Sequence, residues 1–299
     1  MVQDDTRRKQ LNDFVHPEFI VETSWLADHL NDPSVRVLDC TTHLMLPTQG
    51  GPYDVVSGRA DFEEAHIPGA GFADVDNELS DKSHRLHFML PSPGFFADAI
   101  GKLGVGDGTK VVLYSTANHW WATRLWWMLH VFGHDNAAVL NGGFQKWSRE
   151  RRAVEQGPAR LSGQGSFTSK YREGHVVGKE DVLAAIGAAD TCTLNALRPD
   201  QHAGTSGTVY GRLGHISGSI NVAAVNVVDS NNEFKSAEEL RRQFADALAK
   251  PRVITYCGGG IAASSATLLL TMLGHTNVQL YDASLSEWAT DPALPMQMD

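Results

Sequence analysis

Cysteine is scarce in this chain. Only Cys40, Cys192 and Cys257 occur among 299 residues, an odd number with no Cys-x-x-Cys, so neither a disulfide framework nor a zinc knuckle is indicated. That scarcity fits a reducing compartment, and a cytoplasmic location is expected. Long apolar runs are missing too. No stretch approaches the ~20 residues of a membrane span, and the polar opening Met1-Val-Gln-Asp-Asp-Thr-Arg-Arg-Lys leads into no apolar signal-peptide segment. Basic charge is in deficit, with 25 Lys and Arg against 35 Asp and Glu, a net charge of −10. This argues against nucleic acid or an anionic membrane surface as a partner. It leaves room for a small anionic substrate, which meets only the local field. The 13 histidines include no His-Glu-x-x-His, so no metal site is expected.

What is present is ordinary for a globular chain, 42% hydrophobic and 20% charged, apart from one stretch. Val253-Ile-Thr-Tyr-Cys257-Gly-Gly-Gly-Ile-Ala-Ala263 reads as a short apolar strand, a cysteine, three glycines and the start of a buried helix that runs on through Leu268 to Met272. Such a strand-to-helix turn lies where parallel sheets carry ligands. Gly258, Gly259 and Gly260 tolerate positive φ, so the N–H groups of this loop can curl into an anion-binding nest round the sulfur. The helix adds its positive end. Both effects favour thiolate over thiol. A lone cysteine at a strand end is more often a small buried hydrophobe. Three successive glycines, each costing roughly 1 kcal/mol of backbone entropy, argue for more than packing.

The chain also repeats itself. Val37-Leu-Asp39 is answered by Thr193-Leu-Asn195, and Ala65-His-Ile-Pro-Gly-Ala70 by Gly214-His-Ile-Ser-Gly-Ser219. Val111-Val-Leu-Tyr-Ser115 is answered by Val253-Ile-Thr-Tyr-Cys257, and Phe132-Gly-His134 by Leu273-Gly-His275. Leu140-Asn-Gly-Gly143 with Trp147 returns as Leu280-Tyr-Asp-Ala-Ser284 with Trp288. A repeat this long means two copies of one domain rather than a solenoid, whose units are roughly 20–50 residues. Strands alternating with helices imply an α/β fold, each copy a mainly parallel sheet with helices on both faces. The expected division is residues 1–150, an exposed linker over 151–175 and residues 176–299. Residues 1–18 are expected to fray, Ser24 to cap a helix, and Gly50-Gly-Pro52 to form a loop. Ser115 stands where Cys257 stands and is followed by Thr116-Ala-Asn-His-Trp-Trp121, so the first copy is expected to be a non-catalytic wall and the second the reactive domain.

These features resemble the two-domain rhodanese sulfurtransferases over about residues 19 to 294. The resemblance is carried by His66-Ile-Pro-Gly69, His215-Ile-Ser-Gly218, the stretch from Arg124 to His134, Val139-Leu-Asn-Gly-Gly-Phe-Gln-Lys-Trp147 and the cysteine loop. It implies an inactive first domain, an active second one and a persulfide on Cys257. That persulfide would form from a small anionic sulfur donor, 3-mercaptopyruvate or thiosulfate, and discharge to a thiol or cyanide-like acceptor without metal or organic cofactor. Substrate contacts are then expected from Gly258, Gly259, Gly260, Ile261 and Ala262.

The loop departs from the family in detail. The mercaptopyruvate branch tends to read Cys-Gly-Ser-Gly-Val-Thr and the thiosulfate branch Cys-Arg-Lys-Gly-Val-Thr; here Gly259 and Ala262 replace the hydroxyls, and no cation is present. The family's strand-end Arg aligns with Leu197, so Arg198 one place later and Arg212 are the candidate anion clamps. The lost hydroxyls and arginine leave a second reading open, a weakened persulfide carrier or interaction module. A cysteine phosphatase would need Arg at position 263, which is Ala263. His66 and His215 are read as satisfying loop backbone, Trp120, Trp121, Trp126 and Trp127 as packing, and Cys40 and Cys192 as inert. Asn118, Trp120, Arg85 and His87 are within reach of a cleft.

Overall fold

The structure, a computed structural model, describes residues 13–46, 53–160, 163–206 and 210–299; the Gly50-Gly-Pro52 loop lies outside them. Short, apolar, β-branched runs form the strands, buried on both faces as parallel strands are. In the first half these are β1 (Ile20–Val21), β2 (Val35–Asp39), the antiparallel hairpin β3 (Thr42–Met45) and β4 (Asp54–Ser57), then β5 (Gly71–Phe72), β6 (Lys110–Tyr114) and β7 (Ala137–Leu140). In the second half they are β8 (Val176–Val177), β9 (Thr191–Asn195), β10 (His215–Ile216), β11 (Ile220–Asn221), β12 (Arg252–Tyr256), β13 (Val278–Tyr281) and β14 (Met296–Gln297).

Two five-stranded parallel sheets result, ordered β1-β7-β6-β2-β5 and β8-β13-β12-β9-β11. The orders correspond strand for strand, so the internal repeat is a repeat of topology. Its register is also conserved between halves: Asp39 pairs with Tyr114 as Asn195 pairs with Tyr256. The expected α/β architecture of two parallel-sheet domains is the one found.

The helices are α1 (Thr23–His29), α2 (Arg59–Glu64), α3 (Pro93–Lys102), α4 (Trp120–Val131), α5 (Gly143–Arg149), α6 (Lys179–Ala185), α7 (Pro199–His202), α8 (Ala237–Gln243), α9 (Ala245–Leu248), α10 (Ile261–Met272) and α11 (Ser284–Trp288). Helices α4 and α10 are apolar nearly all round and buried along almost their whole length. Such helices belong in a core, and these two pack against each other across the domain boundary. Thr123 Oγ1 lies 2.8 Å from Ser264 Oγ and 3.0 Å from Ser265 Oγ, and one hydrophobic core runs through both domains. Trp121, Trp126 and Trp127 are buried in it.

Two local expectations are corrected. Ser24 lies inside α1; Glu22 holds the N-cap position, and its carboxylate accepts from Lys146 Nζ and from Asn141 Nδ2. Of the opening segment, residues 13–18 are packed rather than frayed: Phe14 is buried, and the Val15 N–H donates to the Met272 carbonyl at 2.9 Å. The 163–175 part of the linker is laid along the first domain, with Gly165 N–H on Gly101 O and Lys170 N–H on Phe132 O, each at 2.8 Å. Glycine makes this approach possible, since a Cβ on Gly165 would lie 2.2 Å from the Val105 carbonyl oxygen.

At the equivalent strand ends the copies use different side chains for one task. Asp39 Oδ1 accepts from the Thr41 backbone at 2.8 Å and from the Thr41 hydroxyl. Asn195 Oδ1 accepts from Leu197 N at 2.8 Å. Tyr114 and Tyr256 hydroxyls each receive the backbone N–H after the loop histidine, from Ile67 at 3.3 Å and Ile216 at 3.0 Å. Burial pushes the Asp39 carboxyl up to about 6, against the opposing pull of the Thr41 bonds. A raised folded-state value contributes stability below the unfolded carboxyl pKa near ~4 and loses it as pH rises through about 6. Asp39→Asn, the residue the second copy already uses, is expected to stabilise the protein at pH 8 by roughly 1–3 kcal/mol and to give no gain near pH 4, as thermal unfolding at the two pH values will show.

Candidate active site

Strand β12 delivers Cys257 to its carboxyl end, and α10 begins four residues later at Ile261. The turn between them is fastened from below by the next strand-to-helix turn. Ser284 Oγ accepts from Cys257 N at 3.1 Å and Gly260 N at 3.2 Å, and donates to the Tyr281 carbonyl at 2.7 Å. Leu285 N–H binds the Cys257 carbonyl at 3.1 Å, and Ser286 gives both its N–H (2.8 Å) and its hydroxyl (2.7 Å) to the Gly258 carbonyl. Ser284 holds φ at 50°, where its counterpart in the first copy is Gly143, φ 55°. A serine in that left-handed region stores strain of order 1–3 kcal/mol, set against the bonds its hydroxyl makes to the cysteine turn.

Two of the three glycines have a geometric reason, and the third has none. A Cβ on Gly258 would lie 1.9 Å from Tyr210 Cζ and 2.1 Å from its hydroxyl oxygen, so the ring sits directly on the loop. Gly260 has φ +76°, and a Cβ there would meet Asp282 Oδ1 at 2.7 Å. At Gly259 the nearest atom to such a Cβ is Ser286 Oγ at 3.7 Å, which is ordinary contact. Position 259 therefore has room for a side chain.

Cys257 is 2% exposed and opens into a cavity of about 610 Å³ between the domains. The second domain contributes Cys257, Gly258, Gly259, Ile261, Ala262, Arg198 and Tyr210 among its wall residues. The first contributes Trp120, Asn118, Arg85, His87, Phe88 and the hairpin residues Tyr53 and Met45. Among the described residues the wall holds arginines and histidines but no carboxylate, in a chain with ten more acidic than basic residues. The positive end of α10 reinforces that local sign.

Six of the eight sequence-derived site residues thus meet at this cleft, and two do not. Gly260 lies beneath the turn, its N–H bound to Ser284 and its carbonyl 3.4 Å from Arg124 Nη1, so it is not part of the free cradle. Arg212 donates to the carbonyls of Ala289 (3.2 Å), Leu294 (2.9 Å), Trp288 (3.1 Å) and Asp291 (2.5 Å). It closes the C-terminal segment and is not among the cleft residues. Arg198 is half exposed at the cleft and paired with Asp200 at 3.0 Å, and this bond holds the Asp200 carboxyl below its ordinary range. Gly258 and Gly259 N–H groups have no partner among the described residues. His87 Nδ1 lies 3.1 Å from Asp76 Oδ1.

The remaining thiols and the two loop histidines lie away from the cleft residues. Burial, with Asp39 adjacent, pushes the Cys40 thiol well up, and burial pushes Cys192 to about 11. His66 stacks on Phe62 and meets its carbonyl through Nδ1 at 2.7 Å; His215 stacks on His202 and meets the His202 carbonyl at 2.8 Å. His202, His215 and Asp299 do bring ligand-type atoms within 4.8 Å of one another. The two imidazoles lie face to face at 3.7 Å and 9°, so their nitrogen lone pairs lie in two nearly parallel planes and not in one.

Sequence reasoning missed Ser284, Tyr210 and the clasp below the site. Arg124, fully buried on α4, binds Asp282 Oδ1 at 2.6 Å from the other domain, donates to the Phe88 carbonyl, and lies 4.5 Å over the Trp127 ring. The second Asp282 oxygen accepts from Leu90 N at 2.9 Å. The one available signal was an arginine inside the apolar helix Trp120–Val131, a position that demands a partner.

Comparison with known proteins places the chain in a family. The Rhodanese-like domain family model matches residues 22–150 and 188–291. The chain is 33% identical over 290 residues to a 3-mercaptopyruvate sulfurtransferase of Escherichia coli (strain K12), covering 93% of this chain and 98% of that protein. It is also 33% identical over 281 residues to a thiosulfate sulfurtransferase of Rattus norvegicus, covering 90% and 91%. The crystal structure of SseA, a 3-mercaptopyruvate sulfotransferase from Escherichia coli, superposes with a TM-score of 0.78 at 32% identity, covering 89% of this chain and 98% of that one.

Two stability measurements test the site's framework. Arg124→Ala leaves Asp282 charged and buried without its partner, and is expected to cost about 3–5 kcal/mol in urea unfolding. Ser284→Ala removes the acceptor of two buried N–H groups and is expected to cost about 1–3 kcal/mol. Ser284→Gly loses the same hydroxyl but relieves the left-handed strain, so it should melt above Ser284→Ala.

Proposed function

This chain belongs to the rhodanese family, and on that premise we propose that it is a sulfurtransferase that carries sulfur as a persulfide on Cys257. The observation that carries the reading is the placement of Cys257, on a glycine turn with unpartnered N–H groups, in a cleft whose described wall is basic and free of carboxylates. In the first step the Cys257 thiolate attacks the donor's sulfur. An S–S bond forms as the donor's C–S bond breaks, or its S–S bond in thiosulfate, and the electron pair leaves on an enolate or on sulfite. The N–H groups of Gly258 and Gly259, with the first turn of α10, hold the persulfide anion. In the second step a thiol or cyanide takes the outer sulfur, and Cys257 returns as thiolate. No step calls for a metal or an organic cofactor.

The donor we favour is 3-mercaptopyruvate over thiosulfate. The relatives do not decide between them, being 33% identical in both classes. The loop does bear on it. An Arg after the cysteine, as in the thiosulfate branch, has no room at Gly258 because the Tyr210 ring lies on it. Arg198 takes the part of anion clamp, its pair with exposed Asp200 being open to exchange for a substrate carboxylate, and Arg85 faces the same cavity from the other domain.

The test is intact-protein mass after incubation with 3-mercaptopyruvate or thiosulfate in separate tubes. The wild type should gain one sulfur atom, to a greater extent from 3-mercaptopyruvate, and lose it to cyanide; Cys257→Ala should gain none. No gain from either donor would overturn the enzyme reading in favour of a carrier loaded by another protein.

A further inference from the structure

The cysteine turn lacks the two hydroxyls its family resemblance leads one to expect, with Gly259 and Ala262 in their places. The nearby serines do not replace them. Ser284 donates its hydroxyl proton to the Tyr281 carbonyl and Ser286 to the Gly258 carbonyl. A different hydroxyl lies against the loop. The Tyr210 phenol covers Gly258 so closely that a Cβ there would be 2.1 Å from its oxygen. It lines the same cavity as Cys257 and Arg198, and its ring centroid is 6.2 Å from that of Tyr53 on the first domain's hairpin. Among the described residues the Tyr210 hydroxyl has no hydrogen-bond partner, which leaves its proton for whatever enters the cleft.

We propose that Tyr210 is a substrate-contacting residue whose hydroxyl donates a hydrogen bond to the oxygen of the donor's departing group as that oxygen gains charge. The proposal rests on the sulfurtransferase reading above. It concerns only the first half-reaction: the C–S or S–S bond of the donor breaks, the electron pair passes to the enolate oxygen or stays as the lone pair on the sulfite sulfur, whose oxygens take up charge, and the phenol hydrogen-bonds to such an oxygen without giving up its proton. The phenol is suited to donate. Burial and the neighbouring Cys257 both raise its pKa, Arg198 opposing them, so it stays protonated across the working range. Gly258 then has a second role, keeping the loop thin enough for an aromatic donor to lie over it.

The test is single-turnover kinetics of the full chain, wild type and Tyr210→Phe, measuring persulfide formation from 3-mercaptopyruvate and from thiosulfate and, separately, persulfide discharge to cyanide. Tyr210→Phe keeps the ring on Gly258 and removes only the hydroxyl. Formation should slow about 10- to 100-fold, the range for one hydrogen bond to a charged oxygen, while discharge stays at the wild-type rate. Unchanged formation, or equal slowing of both steps, would overturn the assignment while leaving the persulfide route standing. Failure of the wild type itself to form a persulfide would overturn both. Gly258→Ala adds an independent arm. It should lose formation by displacing the phenol, and Gly258→Ala in the Tyr210→Phe background should cost little further; a full additive loss counts against the contact.

Discussion

The buried ion pair of Arg124 with Asp282 ties the wall of the cleft to the cysteine turn. Its two charges come from different domains and neither has water to fall back on, so each must have the other. Around that bond the groups are shared: Asp282 also takes Leu90 N from the segment bearing Arg85, His87 and Phe88, and Arg124 also reaches the Phe88 and Gly260 carbonyls. The wall of the cleft and the floor of the cysteine turn are therefore fixed to the same two side chains. The cleft keeps its shape because its opposite sides are the ends of one hydrogen-bonded cluster. This explains why Gly260, which the sequence suggests as a ligand contact, lies below the site: its space and its carbonyl belong to the clasp.

Much of this was legible in the sequence because periodicity and repetition report backbone events. Buried parallel strands are continuous apolar runs, and the duplicated Tyr-Ser115 and Tyr-Cys257 strand ends located both sheet edges before any coordinate. Side-chain partners across the domain boundary carry no such signature. Arg212 and Arg198 look alike in the sequence, each an arginine near a loop of the second copy, yet one is saturated by four carbonyls and the other stands in the cleft. What separates them is the path of the C-terminal segment, which contact at long sequence separation decides. Ser284 was hidden for a related reason: in the alignment it answers Gly143, and nothing local says that a strained serine has been kept for its hydroxyl. Ser24 is not the cap because the helix already starts at Thr23, with Glu22 at the N-cap position.

The two halves show what duplication does to chemistry. At the strand end Asp39 and Asn195 perform the same turn, one at an ionisation cost and one without. In the turn that matters, Ser115 closes on Ala117 N at 3.2 Å, while Cys257 keeps its neighbours' N–H groups free. One copy has a sealed turn and supplies Trp120 and Asn118 as wall; the other has an open one. The two turns differ by a few hydrogen bonds within the same topology.

The contact between α4 and α10 has a consequence for dividing the molecule. Each helix is apolar on the side that faces its own sheet and also on the side that faces the other helix, and Phe14 and Val15 at the start of the chain rest on the end of α10. A half-chain cut free would present a bare greasy flank where its twin had been, and would be driven to stick to copies of itself. The seam makes each half depend on the other for cover.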